Sequence, residues 1–135
     1  MLNRSLALTG ILALAACAAP ARDASQGQAA MQAASMIPAM TRHLDSVAAA
    51  PRMLHAAMPD HEQRVHALMA AMHDDMTHLG LPSDPAYEAL ADSTVADLGL
   101  MEKASGPEYD RLAAAHVKHV RRLMAAYEAK AGQPH

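Results

Sequence analysis

The segment HEQRVHALMAAM, residues 61–72, lines up with HVKHVRRLMAAY, residues 116–127, and these two stretches decide the fold. They lie 55 residues apart, and six of their twelve positions are identical: the leading His, then Val, Leu, Met, Ala and Ala. At about 100° per residue, His61, Val65, Leu68 and Met72 fall within one narrow arc of a helix. Leu112, His116, Val120, Leu123 and Tyr127 form the matching stripe in the second copy. Two amphipathic helices with the same stripe imply a domain built from two related helical hairpins.

The rest of the chain supplies the other arms. Trp and Phe are absent and Tyr occurs three times, so a β fold would lack the residues it favours. Ala, Leu and Met, which are strong helix formers, dominate instead. A first helix is expected over residues 37–50, with Met36, Met40, His43, Leu44 and Val47 as its stripe. The second ends near Leu79, where Gly80 and Pro82 stop it. Its start has two readings. Either Pro59-Asp60 with Gln63 caps it, or Pro51 opens a longer helix kinked at Pro59. The third opens at Asp84-Pro85 and carries Tyr87, Ala91, Thr94, Leu98 and Met101. The fourth opens at Gly106-Pro107 and frays near Gly132. The expectation is an all-α protein, an up-down-up-down four-helix bundle over residues 37–131 with a short tail over 132–135.

The N-terminus predicts an address. Residues 1–16 carry one basic residue, Arg4, then an apolar run shorter than the roughly 20 residues that span a bilayer. The run ends Leu14-Ala15-Ala16-Cys17, which resembles the lipobox of bacterial lipoproteins, where the cysteine is lipidated and becomes the first mature residue. The resemblance implies a signal peptide over 1–16, a lipid anchor on Cys17 and a membrane partner. Residues 17–36, small and polar, are expected to be a flexible tether. Ala18 stands where an aspartate would retain some lipoproteins at the inner membrane, which points to the outer one, on its periplasmic face. Cys17 is the single cysteine, so the rest of the chain has no disulfide, thiolate metal site or cysteine nucleophile. A formal net charge of −3, no basic patch and no aromatic platform argue against nucleic-acid binding.

SGPEYDR followed by AAAHVKHV resembles the last helices of secreted, ferritin-like domains of unknown function. Those domains carry a small-residue turn, an aromatic-Asp-Arg trio and a helical histidine. Here the trio is Tyr109-Asp110-Arg111 and the histidine is His116 or His119; the similarity reaches back to about Pro59. Some relatives bear adjacent paired histidines and are suspected of binding metal, whereas His116 and His119 here are three apart. The resemblance implies a four-helix fold more than an activity.

Nine histidines and eleven methionines are the compositional excess. His43, His61 and His116 lie on the inward stripes of three different helices, and chain lengths from the turns put them within about two helical turns of one level. A buried imidazole needs a partner. Three together call for hydrogen bonds or water, a shared carboxylate such as Asp97, or a metal ion. His119 and the thioethers Met40, Met69, Met72 and Met101 extend the candidate ligand set. Imidazole with thioether suits copper, and imidazole alone also suits zinc. Haem between Met and His ranks behind, since neither C-x-x-C-H nor an aromatic lining is present. A second set, His66, Met69, His73 and Met76, repeats H-x-x-M and reads as solvated; His55, His78 and His135 read as exposed, and Asp74-Asp75 as a solvated acidic patch. No H-E-x-x-H, E-x-x-H pair or nucleophile elbow is present, so no enzyme is expected. The reading is a lipid-anchored envelope protein that binds or buffers a transition metal, copper first. The alternative is a structural or interaction lipoprotein with no ligand.

Overall fold

A computed structural model describes residues 32–82 and 84–132. The signal segment expected over residues 1–16, the lipid anchor expected at Cys17 and His135 lie outside the described residues. The described chain is all-helical, with five helices: α1 (Gln32–Ala49), α2 (Pro51–Ala56), α3 (Met58–His78), α4 (Pro85–Met101) and α5 (Gly106–Ala131). None of them is long and apolar enough to cross a membrane.

The second expected helix is two helices. Pro51 opens α2, and Pro59, in the first turn of α3, has no N–H to offer the carbonyl of His55. The chain turns at Ala57, whose N–H bonds back to Leu54 and whose carbonyl accepts from His61. Both prolines therefore start a helix, and the two readings of the sequence each hold half of the answer.

The other stops and starts are local chemistry. Gly80, at φ 64°, ends α3: its N–H bonds to Thr77, and that of Leu81 to Met76. This double closure satisfies the last carbonyls and needs a left-handed residue at Gly80. Asp84 caps α4 by accepting the Tyr87 N–H at 2.8 Å, and it also pairs with Lys130. Asp84→Ala is expected to lower the unfolding free energy by about 1 kcal/mol, read by urea denaturation.

Helix α1 begins at Gln32, five residues before the expected start, with Pro38 inside it. Residues 32–36, assigned above to the tether, are its first turn and more. Ala33 and Ile37 are buried, and the Ala33 N–H donates to Asp75 Oδ2 at 3.0 Å. Pro38 lies on the exposed side, so its ring meets solvent and not the core.

Helix α4 packs along α5, α1 packs against α3 and α5, and α2 covers the start of α5. His61 meets His116, and Asp75 meets Tyr127, at offsets of 55 and 52 residues. A nearly constant offset means that α3 and α5 run in the same direction, as the internal echo requires. Met40, Leu44, Val65, Leu68, Met72, Leu98, Met101, Val120 and Leu123 fill the core.

Candidate functional site

The three inward histidines meet. His43 on α1, His61 on α3 and His116 on α5 form a row, with centroids 5.0 Å apart at each step. His43 is half-buried, whereas His61 and His116 are 0% exposed. His43 Nε2 and His61 Nδ1 share a hydrogen bond of 2.7 Å. Beyond His116 the row continues to Asp97 on α4, whose Oδ2 is 3.6 Å from His116 Nδ1 and accepts from His119 Nδ1 at 2.7 Å. The first of these distances is too long for a hydrogen bond, so Asp97 is engaged by His119. Five titratable side chains thus cross the protein from α1 to the outer side of α5.

The centre of that row is unsatisfied. His61 Nε2 and both nitrogens of His116 are buried and have no hydrogen-bond partner among the described residues. Groups of this kind are normally partnered, and each costs on the order of 1–3 kcal/mol when it is not. Burial also fixes their charge. Desolvation, with the neighbouring His43, holds the His61 imidazole down at about 4. Desolvation, with His61 and His119, holds His116 at about 3. His43 is lowered too, first by burial and then by Arg64. At neutral pH the two inner rings are neutral, and each carries a free lone pair.

Comparison with known protein families, with curated proteins and with solved structures finds no match for this chain. Both resemblances drawn above therefore stand on their own residues, and the chemistry has to come from the geometry.

That geometry sorts the candidate ligands. His43 lies behind His61 and does not share a centre with it, because two nitrogens 2.7 Å apart are joined by one proton. His119 is likewise held by Asp97. Met69 is only partly buried and follows His61 by eight residues, about 12 Å of helical rise, so it is not brought to the row. Met72 lies farther along the same helix. Met40 is buried one turn from His43, and Met101 is buried one turn from Asp97. Among the described residues, no three His, Cys, Asp or Glu side chains gather around a point that could hold a metal ion. What meets is a pair of buried rings, His61 and His116, set edge to face at 73°.

The second set does not assemble. His66 and His73 face solvent, with Glu62 3.6 Å from His66, while Met76 is in the core. His55 is exposed but lies edge-on to Tyr109 at 5.0 Å, and His78 bonds to the Asp74 carbonyl. The aromatic-Asp-Arg trio is split in the structure: Tyr109 is buried, Asp110 pairs with Arg52 at 3.4 Å and Arg111 pairs with Glu108. Asp74-Asp75 is not one solvated patch. Asp75 is buried, and its Oδ2 accepts from the Ala33 N–H and, at 2.7 Å, from the Tyr127 hydroxyl. Sequence spacing pointed to its helical face only weakly, because the buried arc of α3 widens towards its end to take in Ala71, Met72, Asp75 and Met76.

Proposed function

We propose that this chain is a lipid-anchored envelope protein whose helical domain holds a transition-metal ion, copper before zinc, on His61 and His116. The observation that carries the reading is the buried pair of neutral imidazoles with three orphaned nitrogens. A bound ion satisfies one nitrogen on each ring. In the tautomer where His61 Nδ1–H donates to His43, the His61 Nε2 lone pair is free, and Asp97 stands on the Nδ1 side of His116. A carboxylate, backbone carbonyl or water behind a ligating imidazole is the usual second layer of such sites; behind His61 that place is taken by His43, while Asp97 is held by His119.

Copper comes first because zinc asks for four ligands and only two imidazoles converge here. A dry site with neutral ligands also disfavours the higher charge. Cysteine-directed lipidation would put the domain on the periplasmic face of a membrane. The finer architecture belongs to the same proposal: with α2 and α3 taken as one broken arm, the packing of α1 on α3 and α5 and of α4 on α5 supports an up-down-up-down four-helix bundle.

The test is a melt. Cu(I), Cu(II) and Zn(II) are titrated into the protein, and a ligand at 100 times its Kd adds about 2.7 kcal/mol. For a domain of this size that raises Tm by about 10 °C or more. The shift should vanish in His61→Leu/His116→Leu. No shift with any metal, or a full shift in the double variant, removes the metal reading. Mass measurement of membrane-extracted protein checks the anchor; an unmodified Cys17 would refute it. The competing reading, an interaction lipoprotein without ligand, is favoured by one observation: Val95 and Leu100 on α4 are 45% and 53% exposed.

A further inference from the structure

Helices α1 and α3 leave an open groove of about 330 Å³ between them. Its lining includes Met36, Met40, His43, Asp60, Gln63 and Arg64. Met36, Met40 and His43 are spaced four and three residues apart on α1, so they share one side of that helix. Two thioethers and an imidazole therefore border one cleft that opens to solvent. The inner face of this border is His43, whose Nε2 is hydrogen-bonded to the first fully buried ring, His61. From the other direction, the Asp97–His119 hydrogen bond closes the row.

We propose that this groove is the port through which a monovalent soft ion, Cu(I), reaches the His61–His116 pair, captured first by Met36, Met40 and His43. The inference rests on the metal reading above and adds the route, the oxidation state and a ligand, Met36, outside the buried pair. Thioethers are neutral and soft, and they select Cu(I) over harder divalent ions. Among the described residues, the only carboxylate on the groove, Asp60, is paired with Arg64 at 2.8 Å, so that wall offers no net negative charge to draw a divalent cation. His43 exchanges its bond to His61 for the ion and restores it once the ion has moved inward; no bond other than coordination and hydrogen bonds is made or broken.

The experiment compares Cu(I) loading of the full chain with that of Met36→Leu/Met40→Leu. Cu(I) is delivered anaerobically as its acetonitrile complex. The imidazole resonances of His61 and His116 report arrival, and the methionine methyl resonances report capture. Leu keeps the volume and removes the sulfur. The expected result is loading slowed by about tenfold, with the same final occupancy of the inner pair, and early methyl shifts in the native chain confined to Met36 and Met40. Met36→Leu alone, at a half-buried position, should show part of the slowing and guards against misfolding of the double variant. Unchanged loading rates in both variants overturn the port while leaving the metal reading intact. If the native chain binds no Cu(I) at all, the metal reading itself fails, and the port with it. In His61→Leu/His116→Leu, methyl shifts of Met36 and Met40 that persist without stable retention of Cu(I) support a capture site separate from the pair. Loss of those shifts argues that the groove holds nothing by itself and overturns the port.

Discussion

Asp75→Ala is expected to lower the unfolding free energy by about 4 kcal/mol, a large share of the 5–15 kcal/mol that holds most domains together. Asp75 is 1% exposed, and one of its oxygens accepts two hydrogen bonds, from the Ala33 N–H and from the Tyr127 hydroxyl. The first is among the N–H groups at the start of α1 that have no partner within the helix. No acidic residue lies in the first turn of α1, so the carboxylate that caps it, and meets the positive end of its dipole, comes from α3. Truncation leaves both donors buried and unpaired, at about 1–3 kcal/mol each, and opens a small cavity. Tyr127→Phe removes one donor and leaves the cap, so it should cost about 1 kcal/mol. Urea denaturation measures both, and amide exchange locates the damage: Asp75→Ala should unprotect the first turns of α1 well before the rest. A cost for Asp75→Ala no larger than that of Tyr127→Phe would mean that the carboxylate is not the tie.

That contact also marks the boundary of what the sequence makes legible. Helix ends governed by neighbours in the chain could be read: Asp84 before Pro85, Gly80 after α3 and Gly106 before Pro107 all behave as local chemistry requires. So could the faces. A 100° step placed His43, His61 and His116 inward, and their rings do meet. The echo of residues 61–72 in residues 116–127 foretold which two rings would be equivalent, and those two carry the buried ring nitrogens left without partners. Whatever depends on another helix was hidden. The sequence predicts the start of α1 at residue 37, five residues later than Gln32, because its cap is 42 residues away. The break at Ala57 was ambiguous because each proline alone is a valid helix start. The bonds of His43 to His61 and of His119 to Asp97 are not legible either, because spacing gives direction but not the hydrogen bonds that already occupy one nitrogen of each ring. Met69 lies about 12 Å along α3 from His61, and a helical wheel discards distance along the axis.

The metal-free protein should lose about 4 kcal/mol of stability as the pH falls from 7.5 to 5. An unfolded histidine titrates near 6.5. In the folded protein burial holds His61 down at about 4 and His116 at about 3. Between those values and 6.5 the unfolded chain binds two protons that the folded chain refuses, so acid favours unfolding. Stability is complete above pH 6.5, and each imidazole gives up about 1.4 kcal/mol per pH unit until its folded value is reached. His43, also lowered, adds to the same slope, while Asp97 and His119 bound the row on the far side. The surface carboxylates Asp60, Asp84 and Glu108 are held below the usual range by Arg64, Lys130 and Arg111, so their loss belongs to more acid solutions. Urea denaturation at half-unit steps checks the slope. In His61→Leu/His116→Leu the curve should flatten by two protons. Because replacing unpartnered polar groups with apolar ones of similar shape is neutral or stabilising, the variant should be at least as stable as the native chain below pH 6. A native curve already flat from 7.5 to 5 would mean that these rings reach water or share a proton, and the dry pair on which any ion must be held would not exist.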